Sequence, residues 1–129
     1  MTLDLWAVVG TLFLAMAQIG MQSIATVMQA GGAWVAGPRD NHFEVTGMTG
    51  RIVRAHRNLL EIIPQFFAAI FIVHLADVNA VLTVVGAWTF LIARILYVPA
   101  YLWAPMGVRP IFWQVAQLGI LIILADIFY

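Results

Sequence analysis

Apolar residues fill four long stretches of the chain, at about residues 5–27, 51–76, 80–103 and 111–128, and the polar residues inside them recur every three or four positions. That spacing is helical, because positions three and four apart share a face. A helix needs about 20 mainly apolar residues to cross a bilayer. The pattern therefore predicts four transmembrane helices in a single domain covering residues 1–129. The first stretch lacks the basic start and short apolar core of a secretory leader and is preceded by Asp4, so a retained helix is expected. In the second, the purely apolar part begins at Ile62 and is too short to span, so the arginine-rich segment before it must continue the same helix. That places Asn58 and Glu61 at or below the membrane interface.

The connections are just as legible. Residues 29–50 carry Gly31, Gly32, Gly37, Pro38, Gly47 and Gly50 among polar side chains, which predicts a long loop. Asp77, Val78 and Asn79 make a tight connection between the second and third spans. Ala104 to Gly107 make a turn, and Pro110 suits the first turn of the last helix.

Composition fixes the setting. Of the 129 residues 64% are hydrophobic and 9% are charged, more apolar surface than a soluble fold of this length can bury. An integral membrane protein is the consequence. Six arginines balance six acids, so nothing provides an electrostatic footprint for nucleic acid. Cysteine and lysine are absent, which excludes disulfides, thiolate metal sites, a protein thiol nucleophile and a Schiff-base lysine. Ser23 is the single serine and lies in an apolar segment, far along the chain from His42, His56 and His74, so a serine triad is not expected. The histidines have no metal-ligand spacing, and no metal is expected. His56 is expected to hydrogen-bond at the interface. Trp6, Trp34, Trp103 and Tyr129 fall near span ends, where aromatic belts form, while Trp88 and Trp113 are expected to pack.

The charges are sorted by side. Arg39, Arg51, Arg54, Arg57 and Arg109 lie on, or just inside, the side of the long loop, whereas the other side carries Asp4, Asp77 and Asp126 without a basic residue. The positive-inside rule puts that loop in the cytoplasm and both termini outside.

Every span has a polar stripe. In the second it is Arg51, Arg54, Asn58, Glu61 and Gln65; in the third, Phe90, Arg94, Tyr97 and Tyr101; the first has Thr11, Gln18, Gln22 and Gln29, and the fourth Gln114 and Gln117. Polar groups left unsatisfied in hydrocarbon are costly, so these faces should meet protein or a watery cavity. A purely structural account has Arg94 pairing with Glu61 and the glutamines joining helices. Yet the arginines exceed the one carboxylate of the second span, and a surplus of positive charge beside a cavity calls for an anion. Arg51 and Arg57 also suit lipid head groups or snorkelling. Pro64 and Pro99 each free a carbonyl one turn earlier, on Leu60 and Ile95, and are expected to bend their helices beside the polar cluster.

Arg54-Ala55-His56-Arg57-Asn58, followed by Glu61 and Pro64, then Ala93-Arg94-Ile95-Leu96-Tyr97 with Tyr101 and Arg109, resembles the membrane-associated proteins in eicosanoid and glutathione metabolism, the MAPEG family. The Gly37-Pro38-Arg39-Asp40 loop is similar to bacterial members in particular. The resemblance implies an all-α, integral-membrane four-helix bundle that assembles as a homotrimer, in the bacterial inner membrane, with a glutathione site between subunits toward the cytoplasm. By motif position it implies that Arg54, Asn58 and Glu61 hold the tripeptide, that Arg94, Tyr97 and Tyr101 complete and line its pocket, and that Arg109 lies near the sulfur as the catalytic group. Residues 27–32 depart from the pattern: many members have a basic residue there, and this chain has none.

The implied activity is that of a glutathione transferase or peroxidase, with glutathione as co-substrate and a lipophilic electrophile or hydroperoxide as second substrate. Two alternatives remain open at this stage. One is a non-catalytic protein of the same fold that binds lipid or serves as an assembly subunit. The other is a small multidrug transporter, although that class usually works through a carboxylate in its first helix, where this chain has Thr11 and glutamines.

Overall fold

The structure, a computed structural model, describes residues 1–78 and 81–128. The expected third-span start at Ala80, the Asn79 end of the tight connection and the Tyr129 belt position lie outside the described residues. The elements in chain order are α1 (Leu3–Ala30), α2 (Gly32–Ala36), α3 (Gly47–Leu75), α4 (Val81–Trp103) and α5 (Val108–Ala125), the last running into a 3-10 turn at Asp126–Phe128. Four helices are long and apolar enough to cross a membrane: α1, α3, α4 and α5 with its terminal turn. At a rise of about 1.5 Å per residue, α1 and α3 are each longer than a hydrocarbon core of about 30 Å.

The stretch between α1 and α3 differs from a plain loop. α3 starts at Gly47 rather than Arg51, and the short helix α2 forms within the expected 29–50 loop. Gln29 explains the early start. Its Oε1 accepts from the Thr46 backbone N–H at 2.9 Å and its Nε2 donates to the Thr46 carbonyl at 3.2 Å, which pins the residue preceding α3 to the last turn of α1. The glutamine expected to join helices within the membrane instead organises a loop. Trp34 of α2 donates from Nε1 to the Asn41 carbonyl at 2.8 Å and packs on Phe43 with ring centroids 5.5 Å apart. Arg39 then closes α2, donating from Nε and Nη2 to the Val35 carbonyl at 3.1 and 2.9 Å.

α3 and α4 form the centre of the bundle, with α1 packed against both and α5 laid mainly along α4. The buried face of α3 presents Leu59, Ile62, Phe66, Ala69, Ile70 and Val73, at helical spacing. Phe66 stacks on Phe90 of α4, with centroids 4.0 Å apart and planes 6° from parallel. α4 and α5 meet backbone to backbone at two glycines. A Cβ on Gly86 would lie 2.5 Å from the Gly119 carbonyl oxygen, and one on Gly119 would lie 2.7 Å from that of Gly86. In lipid, where apolar surface gives helices no reason to associate, such small-residue contacts supply the close packing that does.

The opposite end of the bundle is tied by its acids. Asp126 accepts at Oδ2 from the Thr83 backbone N–H at 2.9 Å and from the Thr83 hydroxyl at 2.6 Å, so a carboxylate from the chain's end satisfies a free donor in the first turn of α4. Asp4 of α1 and His74 of α3 approach to 2.6 Å between Oδ2 and Nε2. α3 ends with Asp77 at φ 55°, while Val78 N–H reaches back to the Val73 carbonyl at 3.0 Å. Those are the features of a Schellman stop, with aspartate where glycine is usual.

Candidate functional site

At the α2 end of the bundle a cavity of ≈ 430 Å³ opens between α3, α4 and α5. α3 contributes Arg54, Arg57, Asn58 and Glu61, which fall within two turns and so share a flank of the helix. The last two turns of α4 contribute Tyr97 and Tyr101. The first turns of α5 add Arg109, Pro110 and Trp113. Residues far apart in sequence thus converge because α3 begins, α4 ends and α5 begins at the same level.

A chain of contacts orders the wall. Arg54 donates from Nε to the Tyr101 hydroxyl at 3.1 Å. The Arg109 guanidinium carbon lies 4.8 Å from the Tyr101 ring centroid, a cation–π geometry. Tyr97 and Tyr101 are neighbours at 5.7 Å between centroids. The phenol of Tyr101 is therefore held between two guanidiniums, one at its hydroxyl and one at its ring.

Six of the seven residues singled out from the sequence, Arg54, Asn58, Glu61, Tyr97, Tyr101 and Arg109, line this cavity. Arg94 does not. It is 0% exposed and sits behind the wall, donating from Nη1 to Asn58 Oδ1 at 3.0 Å, with its guanidinium carbon 4.3 Å from the Tyr97 centroid. Because Arg94 occupies the Asn58 oxygen, the free end of that amide is its NH₂, a donor. Arg94 thus acts on the cavity through Asn58 and Tyr97.

The Arg94–Glu61 ion pair does not form. Among the described residues neither Arg94 nor Glu61 has an oppositely charged side chain within ion-pair distance, the one acid–base contact being His74 Nε2 with Asp4 Oδ2, and Glu61 stays exposed on the cavity side. Arg94 Nε and Nη2 have no partner, so the buried cation is not neutralised from within the described chain.

Arg51 and Arg57 separate. Arg51 donates from Nη1 to the Leu102 carbonyl at 2.9 Å, completing the C-terminal turn of α4. Arg57, for which the sequence left lipid contact and ligand binding both open, lines the cavity, and so does Trp113, read as packing. Both carried a usable signal. Arg57 lies three residues after Arg54 and four before Glu61, and Trp113 lies four after Arg109.

The remaining polar positions are mixed. The Thr11 hydroxyl donates to the Ala7 carbonyl of its own helix at 2.9 Å. Gln18 is buried without a partner for either amide atom among the described residues, and buried His56 has none for Nδ1. Gln65 and Gln114 are exposed on the single chain, although they lie on spanning helices.

The arrangement can bind a small multiply charged anion. Arg54, Arg57 and Arg109 give three positive charges and Glu61 one negative, a net of two positive charges on the lining. Guanidinium forks match carboxylates, while Glu61 can accept from one ammonium. Among the described residues no three histidine, aspartate or glutamate side chains converge as metal ligands.

A family model described as the MAPEG family matches residues 3–129, essentially the whole chain. No curated protein and no solved structure matches the chain.

Proposed function

The chain belongs to the MAPEG family of integral membrane proteins, and on that premise we propose that it binds glutathione in the cavity and transfers it to lipophilic electrophiles, or reduces lipid hydroperoxides with it. Family membership by itself supports a membrane protein of glutathione-related or eicosanoid metabolism. The observation that carries the narrower reading is the charge count of the lining. Glutathione has two carboxylates, one ammonium and a thiol that becomes an anion when it reacts. Three arginines and one glutamate answer those groups one for one.

The roles follow from position. Arg54 and Arg57 pair with the carboxylates, Glu61 receives the ammonium, and the Asn58 NH₂ donates to a peptide carbonyl. Arg109 stands beside the sulfur, where its charge favours thiolate over thiol. The chain has no cysteine, so the nucleophile has to come with the ligand. The thiolate then attacks a carbon or an oxygen of the second substrate.

Exposed Glu61, Gln65 and Gln114 favour a homotrimer, in which neighbouring subunits cover polar groups that lipid could not. The distribution of arginines favours a cytoplasmic site in a bacterial inner membrane, with both termini outside. A reporter fused to the C-terminus should be active on the outer side alone, and a cytoplasmic signal would overturn that orientation.

Purified protein in detergent should bind glutathione and turn over chlorodinitrobenzene or a lipid hydroperoxide in a thiol-dependent way. Arg109→Ala should leave glutathione affinity within about threefold, a change of under about 1 kcal/mol, and lower kcat by about 10²-fold, as for the loss of one charge-stabilising donor. Absence of both binding and turnover in the native protein would refute the reading.

A further inference from the structure

α1, α3 and α4 pack against one another pairwise and enclose a seam. Two ties fix the antiparallel register of α1 on α3, Asp4 with His74 at one end and Gln29 with Thr46 at the other. Both helices advance equally per residue, so Gln18 of α1 falls opposite the turn of α3 that carries His56, Asn58 and Leu59. His56 precedes His74 by 18 residues, about five whole turns. It therefore shares the side of α3 that meets α1.

Arg94 comes to the same level from α4. The line of fully buried residues there is Ala87, Phe90 and Arg94, and on α1 it is Ala7, Thr11 and Gln18. Leu91 sits over Gly10, and Phe90 stacks on Phe66 of α3, which sets Thr11 level with Phe90. One turn on, the Arg94 guanidinium extends further along the seam, to the Tyr97 ring and to Asn58.

These three side chains share a second property. Among the described residues Arg94 Nε and Nη2, both amide atoms of Gln18 and His56 Nδ1 are buried without a hydrogen-bond partner. The set is complementary: Arg94 has donors, His56 Nδ1 accepts when the ring proton is on Nε2, and Gln18 has one atom of each kind. They are buried within a single chain, so neither lipid nor a neighbouring subunit reaches them. Packed this closely, they answer one another rather than solvent. A rotation of the Gln18 side chain lets Oε1 accept from Arg94 and Nε2 donate to His56.

We propose that Gln18 is a positioning residue of the anion site. Its amide bridges Arg94 and His56 and so fixes the guanidinium that holds Asn58 at the cavity wall. Being uncharged, it also leaves the Arg94 charge to act on the bound anion, across an interior that screens it weakly. A carboxylate in its place would cancel that charge. The effect on the anion rests on the glutathione reading of the cavity, whereas the bridge does not.

Gln18→Glu and Gln18→Leu separate the two roles, read by thermal midpoint in one detergent and by glutathione calorimetry. Gln18→Glu should pair with Arg94 and raise the midpoint by about 3 °C. By cancelling the charge it should raise the glutathione Kd about tenfold. A residue that only packs would move stability and affinity in the same direction. Gln18→Leu loses both bonds at similar volume and should lower the midpoint by about 3 °C. In an Arg94→Met background Gln18→Glu should lower the midpoint instead, since its carboxylate has lost its cation. The single variants decide even where Arg94→Met does not fold. A higher midpoint for Gln18→Leu, or a lower midpoint or unfolded protein for Gln18→Glu, overturns the bridge. An unchanged glutathione Kd in Gln18→Glu overturns the charge effect. If the native protein releases no heat with glutathione while the midpoints move as stated, the glutathione reading falls and the bridge stands.

Discussion

Replacing Arg54 by alanine should weaken glutathione binding by about 10- to 150-fold, since a hydrogen bond to a charged group contributes about 1.5–3 kcal/mol. The side chain does two things at once. It supplies one of the three positive charges on the cavity wall, and its Nε holds the Tyr101 hydroxyl at 3.1 Å. Its loss removes a carboxylate partner and leaves the phenol free to move, which in turn loosens the stacked Arg109. Arg54→Lys separates the two effects. A lysine keeps the charge but lacks the planar fork, so binding should recover in part while turnover remains low. Isothermal calorimetry of the three proteins decides the matter. Equal affinity for the native protein and Arg54→Ala would place the tripeptide elsewhere.

The second large effect concerns the scaffold. Gly119→Leu should abolish the monodisperse, folded protein, and Gly119→Ala should already lower its thermal midpoint. Even the first added carbon would lie 2.7 Å from the Gly86 carbonyl oxygen and 2.9 Å from the Phe90 nitrogen. These are backbone atoms, which cannot rotate away, so α4 and α5 have to separate. Overpacking of a close-packed interior costs about 1–3 kcal/mol even when side chains can adjust, against a total stability of about 5–15 kcal/mol. The α5 start would shift with the helix, and with it Arg109. Gly20→Ala is the control, because a Cβ there meets nothing within 4 Å; it should be neutral or raise the midpoint, as alanine favours helix by about 1 kcal/mol. Size-exclusion profiles and thermal scans in one detergent compare the variants. A Gly119→Leu protein as stable as the native one would refute the backbone contact.

Both predictions join what could be read from the chain to what could not. The Arg54, Asn58 and Glu61 stripe was legible because residues on one helix keep their relation whatever that helix packs against. Tyr97 and Tyr101 were legible for the same reason. Arg94 shows where that stops. Its register on α4 matches Tyr97 and Tyr101, yet it lies behind the wall because α4 is turned so that Arg94 meets Asn58. Arg51 and Arg57 look alike in sequence and differ completely in place, one closing α4 at Leu102 and the other lining the cavity.

The contacts across the opposite end, Asp126 with Thr83 and Asp4 with His74, span 43 and 70 residues. No local pattern announces them. The early start of α3 depends likewise on a side chain 17 residues away, at Gln29.

Composition and periodicity settled the medium, the number of spanning helices and the polar stripes, because hydropathy and helical repeat act within one segment at a time. The rotation and depth of each helix against the next belong to tertiary structure. They are set by side-chain shape and by the glycine contact of α4 with α5, which bring Arg109 to Tyr101 and keep Arg94 from the cavity. Relations between helices arise from packing over many residues at once, and no short stretch of sequence contains them.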